Sequence, residues 1–135
     1  MWLWQTWLPM QHATNNLPPR NIVVAIQLIW LTIVVNVFMM AVDFDDTGID
    51  AMVLNTLLLV INAFVVIKIA ARKNWSRMIY AFLVALDVAL ILAFGLDEVT
   101  DLDILVTYIL LALECWALVN LFGAEADRWF NLQVD

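Results

Sequence analysis

Residues 78–96 read MIYAFLVALDVALILAFGL, a long apolar stretch with one charged side chain, Asp87. An α-helix rises about 1.5 Å per residue, so about 20 apolar residues cross a hydrocarbon core of roughly 30 Å. Residues 104–122 read ILVTYILLALECWALVNLF and again carry one charged side chain, Glu114. Both stretches therefore predict membrane-spanning helices, each with a carboxyl group near its centre.

The composition of the whole chain agrees with this interpretation. Hydrophobic side chains make up 65% of the 135 residues and charged side chains 14%, and the mean hydropathy is +0.92. These values are typical of a membrane protein. Two earlier stretches are also long enough to span a bilayer. We predict an all-α bundle of four transmembrane helices at about 22–42, 51–69, 78–96 and 104–122, and a single integral membrane domain over residues 1–135.

The charged residues predict how the chain is threaded. All six basic residues fall on one side of the predicted membrane: Arg20, Lys68, Arg72, Lys73, Arg77 and Arg128. The positive-inside rule places that side, and with it both chain termini, in the cytoplasm. Eight of the thirteen acidic residues fall in the two turns on the opposite side. Acidic residues contribute little to orientation, so they agree with this topology without determining it.

Basic and aromatic residues near the cytoplasmic side predict contacts with lipid. We expect four basic side chains to contact lipid head groups: Lys68, Arg72, Lys73 and Arg77. We expect six aromatic side chains to anchor the chain at the membrane interface: Trp2, Trp4, Trp7, Trp75, Tyr80 and Trp129. Nucleic acid is not an expected partner, because basic residues beside a membrane are what the topology itself requires.

The two terminal segments lie outside the predicted helices. Residues 1–20 are rich in tryptophan and lack any basic residue before Arg20, and their prolines interrupt a long helix. Two interpretations stay open for them, an interfacial membrane anchor and a strip that docks on a partner protein. Residues 123–135 are predicted to be a short cytoplasmic tail.

Polar side chains recur at one depth in the predicted bundle. Counted from the acidic side at about 1.5 Å per residue, one side chain of each helix lies about 15 to 17 Å deep. These four side chains form a predicted intramembrane polar layer: Thr32, Asn62, Asp87 and Glu114. On the second helix, Asn55 precedes Asn62 by seven residues and so shares its stripe, and Asn36 on the first helix matches the depth of Asn55.

Three interpretations of this layer stay open. Asn, Thr and protonated carboxyl groups hydrogen-bond between helices, so the layer can be adhesive, at about 0.6 kcal/mol per contact. Ionisable groups inside a membrane also mark proton or cation passages and polar ligand sites. Finally, Asp87 or Glu114 can meet a polar group on another membrane subunit.

A small-residue ridge runs along the third predicted helix. Its members recur every four residues: Ala81, Ala85, Ala89 and Ala93. Small side chains let a second helix approach closely, so we predict a helix-packing contact there. Asp87 points to nearly the opposite face, which leaves this helix little surface for lipid. The pattern predicts self-association or contact with other membrane subunits.

The sequence lacks the signatures of most other functions. It contains no nucleophile elbow, zinc-protease helix, phosphate loop or dinucleotide fingerprint, so we expect neither an enzyme nor a cofactor. The single cysteine, Cys115, cannot form an internal disulfide and offers no cysteine metal cluster. We expect no metal site.

Several short motifs support a resemblance to known proteins. These are Pro19 before the first helix, the run RKNWSR at 72–77, and Trp129 followed by Phe130 after the last helix. Together they resemble small four-span bacterial inner-membrane proteins with no assigned activity. The resemblance implies a multi-pass protein of the bacterial inner membrane and carries no functional residues with it. Small multidrug transporters also have four spans and a membrane carboxylate, but theirs lies in the first helix, which has none here.

Two functional hypotheses follow. The first is a small subunit of, or accessory to, a larger membrane assembly, which docks through its polar and small-residue faces. The alternative is a homo-oligomeric transporter or channel, coupled to protons or cations, that uses Asp87 and Glu114.

Overall fold

The chain folds into five α-helices within the residues that a computed structural model describes, 17–42, 48–94 and 101–131. The helices are α1 (Arg20–Val42), α2 (Ile49–Ala70), α3 (Asn74–Phe94), α4 (Asp101–Leu121) and α5 (Ala124–Asn131). The predicted anchors Trp2, Trp4 and Trp7 lie outside the described residues. The two interpretations of the N-terminal segment, an interfacial anchor and a docking strip, also fall on residues outside the described part of the chain.

The first four helices are long and apolar enough, by length and composition, to cross a membrane. This confirms the predicted all-α class and the presence of four helices of membrane-spanning length and composition. The largest difference between the predicted and the observed helix bounds is at α3, which begins four residues before its predicted start. Its polar first turn is helical, and there the Ser76 hydroxyl donates a hydrogen bond to the Lys73 carbonyl oxygen at 2.5 Å.

Large apolar side chains cover the outer surface of all four long helices. Examples, one from each helix, are Leu31, Val53, Phe82 and Val119, all exposed. A contiguous apolar surface of this kind makes a water-soluble protein aggregate, whereas hydrocarbon tails match it. The exterior of the bundle therefore has the character of a lipid-facing surface.

The four long helices pack in a ring. α1 lies against α2 and α4, and α3 lies against the same two helices on the other side. The contact between α1 and α4 is the most extensive, and each of these helices buries one alanine completely, Ala25 and Ala117. A side chain as small as alanine lets two helix backbones approach closely.

The two ends of the ring differ in packing. We call the end with Arg20, Lys68 and Arg77 the basic end, and the opposite end, where α2 and α4 begin, the acidic end. The buried side chains of the four long helices lie toward the basic end: Ile22, Ala25, Ile29, Thr32 and Ile33 on α1, Val65, Val66 and Ile69 on α2, Ser76, Arg77, Tyr80, Leu83 and Val84 on α3, and Ala117 and Leu121 on α4. Toward the acidic end none of the described side chains is fully buried. Among the described residues, the bundle is thus tightly packed toward the basic end and more loosely packed toward the acidic end.

Part of the predicted tail forms helix α5 and covers the basic end. Its buried side chains, Ala126, Trp129 and Phe130, have the i, i+3, i+4 spacing of one helical face. That face packs against α1 and α4. The Trp129 and Phe130 rings meet edge to face, with their centroids 4.9 Å apart.

Two arginines tie α5 to the bundle. Arg77 of α3 forms an ion pair with Asp127, and its guanidinium lies 5.1 Å from the centroid of the Phe130 ring. Arg72, in the turn between α2 and α3, donates from Nε to the Trp129 carbonyl oxygen at 2.5 Å. Its guanidinium also lies 5.1 Å from the centroid of the Trp129 ring, a cation–π geometry.

The backbone at Arg72 is unusual. Its φ of 62° is in the left-handed region, where glycine is the normal residue. The Arg72 and Lys73 amides donate to the carbonyl oxygens of Ile69 and Lys68, at 2.9 and 3.0 Å, and so close the end of α2 as a Schellman motif. A residue other than glycine costs about 1 kcal/mol in this conformation. The contacts between the Arg72 side chain and Trp129 offset this cost.

The structure changes the role of several residues predicted to lie at the membrane interface. Trp75 is 45% exposed, as an interfacial anchor requires, but Tyr80 is 1% and Trp129 6% exposed. Tyr80 belongs to the core and Trp129 to the buried face of α5, so packing replaces the predicted anchor role for both. Arg77 is likewise turned to α5, and lipid contact stays a prediction for the exposed Lys73.

Lys68 and Arg72 are partly buried. The Lys68 ammonium lies 5.0 Å from the centroid of the Phe64 ring, and Arg72 contacts Trp129. Contact of these two side chains with lipid head groups also stays a prediction.

Candidate functional site: a polar cavity between the four helices

The four helices enclose a partly open cavity of about 360 Å³ in the loosely packed part of the bundle toward the acidic end. Each of the four contributes to its wall. The lining residues are Asn36, Met39 and Met40 of α1, Asn55, Leu58, Leu59 and Asn62 of α2, Asp87, Leu90 and Ile91 of α3, and Thr107, Leu110, Leu111 and Glu114 of α4.

The two intramembrane carboxyl groups share this cavity. Asp87 and Glu114 come from adjacent helices, both are half-buried, and both line the wall. A single ligand in the cavity can therefore interact with both.

The predicted polar layer is only partly assembled here. Asn62, Asp87 and Glu114 all line the cavity, whereas Thr32 does not. Thr32 is buried between Ile29 and Ile33, and its hydroxyl donates to the Ile29 carbonyl oxygen of its own helix at 2.8 Å. It lies on the part of α1 that is already packed.

The cavity side chains do not join the helices through hydrogen bonds. Within the described part of the chain, Asn55, Asn62, Asp87 and Glu114 make no side-chain hydrogen bond, either with one another or with the backbone. An adhesive layer needs such bonds between helices. These polar groups are instead left for water or a ligand, because polar groups in a protein interior are normally hydrogen-bonded.

Asn36 presents an acceptor to the cavity. Its Nδ2 donates one of its two hydrogens to the Thr32 carbonyl oxygen at 2.9 Å, and its amide makes no hydrogen bond to Asn55. The Oδ1 atom of the same amide is therefore free to accept a hydrogen bond.

Sequence reasoning missed one polar lining residue, Thr107. It precedes Glu114 by seven residues, two helical turns, and so lies on the same stripe of α4. The same spacing relates Asn55 to Asn62 on α2. Applying it to α4 identifies Thr107.

A buried tyrosine of the packed core shares a stripe of α3 with Asp87. Tyr80 precedes Asp87 by seven residues, two helical turns, and is almost completely buried. Its hydroxyl has no hydrogen-bond partner among the described residues.

The other predicted features lie outside the cavity wall. Ala85, Ala89 and Ala93 are exposed on α3 and Ala81 is half-buried, so these alanines face mainly outward. Cys115 is exposed beside Glu114. Among the described residues, no group of three or more His, Cys, Asp or Glu side chains could hold a metal ion.

The chain was also compared with known proteins. The resemblance to small four-span bacterial inner-membrane proteins rests on short motifs and stays a prediction. No protein-family model matches the chain, and no curated protein or solved structure is found to be similar to it.

Proposed function

We propose that this chain is a multi-pass membrane transporter or channel that binds a cation between Asp87 and Glu114. The observation that carries the proposal is that both carboxyl groups, from different helices, line one cavity without hydrogen-bond partners of their own. The described wall carries two charged side chains, and both are acidic. Ionisable residues that face a cavity inside a membrane are typical of ion and proton pathways.

The charge distribution supports an orientation for the site. All six basic residues belong to the basic end, which the positive-inside rule assigns to the cytoplasm. The cavity then opens in the outer half of the membrane, and α5 lies on the cytoplasmic side. In a bacterial cell, the proposed membrane is the inner membrane.

A carboxyl pair can couple the cation to protons. Two like charges in a low-dielectric site do not easily ionise together, so the pair tends to hold one proton. A monovalent cation that binds there displaces that proton, and the charge of the site is conserved. The proton leaves through the open side of the cavity, which makes cation–proton exchange the simplest cycle.

Proton flux through the purified protein tests the proposal. In liposomes with a trapped pH-sensitive dye, a membrane potential or an inward Na⁺ gradient should drive proton flux above that of protein-free liposomes. Asp87→Asn and Glu114→Gln should each abolish most of it, because each removes a charge from the cavity. Glu125→Gln, an exposed acid on α5, is the matched control and should keep the flux. Wild-type protein that shows no flux under either gradient would overturn the proposal.

The same variants separate a ligand site from an adhesive layer. Because neither carboxyl group makes a hydrogen bond, Asp87→Asn and Glu114→Gln should leave the free energy of unfolding within about 0.5 kcal/mol of wild type. An adhesive role predicts a clear loss of stability in both.

A second candidate function is a subunit of a larger membrane assembly, with the outward-facing alanines of α3 as its contact. The exposure of Ala85, Ala89 and Ala93 favours it, because these small side chains have little role in packing within the chain. Purification in a mild detergent should then give a complex of fixed stoichiometry, and Ala89→Leu should dissociate it. A monodisperse single chain that resists this substitution contradicts the candidate.

A further inference from the structure

We infer that the cavity is built for a protonated amine that carries an apolar group and at least one N–H. This inference rests on the proposed function, since it names the class of cation that the site between Asp87 and Glu114 would bind. Four observations lead to it: the cavity volume, the acceptors in its wall, its apolar side chains and the lack of aromatic side chains in its described part.

The volume points to an organic cation. A water molecule occupies about 30 Å³ of liquid, so a cavity of about 360 Å³ has roughly twelve times the volume of one water. Ligand sites for small organic molecules begin at about 300 Å³. An inorganic ion alone would leave most of this space to water.

The polar part of the wall matches an N–H donor. Asp87 and Glu114 supply carboxylate oxygens, and the Oδ1 atom of Asn36 adds an amide oxygen as a further acceptor. These groups come from three helices. An ammonium group can donate to several of them at once, and hydrogen bonds between charged partners are about twice as strong as neutral ones.

The remainder of the wall matches an apolar group. Six of its members are Met39, Met40, Leu58, Leu59, Leu90 and Leu110. The flexible, polarisable methionine side chain adapts to ligands of different shape. The apolar part of an amine can therefore lie against these side chains while the nitrogen reaches the carboxyl groups.

The described wall contains no aromatic side chain. Sites for quaternary ammonium groups, which have no N–H, rely on aromatic cages and cation–π attraction. In this cavity a cation is recognised instead by hydrogen bonds to oxygen. Primary and secondary ammonium groups should therefore bind in preference to a quaternary group of similar shape.

Calorimetric titration of the full chain in lipid nanodiscs tests this preference. The probes are hexylammonium, hexyltrimethylammonium and neutral 1-hexanol, and the Asp87→Asn/Glu114→Gln double variant corrects for partition of each probe into lipid. Hexylammonium should bind at least about tenfold more tightly than either of the other two, because only it offers both charge and N–H donors. Each single substitution should weaken its binding about tenfold or more, and Glu125→Gln should not change it.

The outcomes are distinguishable. Equal or tighter binding of hexyltrimethylammonium overturns recognition by N–H donors, and equal binding of hexanol overturns recognition of charge. If no probe binds but the carboxyl-dependent proton flux is present, the ligand class is wrong and the proposed function stands. If binding and flux are both missing, both proposals fail.

Discussion

Ala117→Leu is expected to lower the free energy of unfolding by about 2 to 3 kcal/mol, because Ala117 is fully buried on α4, the helix that makes the most extensive contact with α1. Leucine adds three heavy atoms at a position where the alanine side chain is fully buried. The helices must then move apart or the side chain must leave its preferred rotamer, and both are costly. Reversible unfolding in mixed micelles, followed by circular dichroism, measures the change.

The exposed alanines of α3 offer a matched control. Ala89→Leu makes the same chemical change on an outward-facing surface, and the purified single chain should lose no more than about 0.5 kcal/mol. If the two substitutions cost the same, the close contact between α1 and α4 is not the feature that closes the basic end.

The second large effect is expected at the ion pair that holds α5. Asp127→Asn should favour opening of α5 by about 2 kcal/mol, or about thirtyfold in the opening equilibrium. The Arg77 side chain is only 11% exposed, whereas that of Asp127 is 49% exposed. Loss of the aspartate charge leaves a buried guanidinium without its counter-ion. Arg77→Met instead removes the arginine charge and leaves an aspartate that water can solvate. It should therefore favour opening of α5 by less than Asp127→Asn does.

Thiol labelling of α5 measures this opening. Ala126 is fully buried on the face of α5 that packs against the bundle, so a cysteine in its place reacts only when α5 separates from the bundle. The exposed native thiol is removed first by Cys115→Ser. In the Ala126→Cys background the labelling rate should rise about thirtyfold with Asp127→Asn and should not change with Glu125→Gln. A larger increase in labelling rate with Arg77→Met than with Asp127→Asn would show that the solvation of the remaining charge does not determine how easily α5 opens.

The candidate site illustrates what a count along the helices can predict. Asn62, Asp87 and Glu114 were placed at one depth from their distance to the helix ends, and all three line the cavity. The depth of a residue does not indicate whether neighbouring helices pack closely at that level. Thr32 shares the depth but lies on a packed part of α1, where its hydroxyl bonds to its own helix.

The basic end shows the corresponding limit for charged and aromatic residues. Arginine, tryptophan and tyrosine near a membrane surface are consistent with lipid contact, and the exposed Trp75 keeps that interpretation. Arg77 is instead covered by α5, and Trp129 lies on the buried face of α5 itself. The spacing of Ala126, Trp129 and Phe130 is the sequence signal for this helix, but eight residues are too few to predict a stable helix without tertiary contacts.

The sequence by itself determined the class of protein, the four long helices and the two carboxyl groups near their centres. These are properties of single segments, because the length of an apolar stretch and the position of a charge within it need no neighbour. Only the tertiary structure decided that the buried side chains of the bundle lie toward the basic end and that Asp87 and Glu114 line one cavity. The physical reason is that these features depend on how neighbouring helices pack against one another, and side chains of several helices, such as Ala25 and Ala117, determine that packing together.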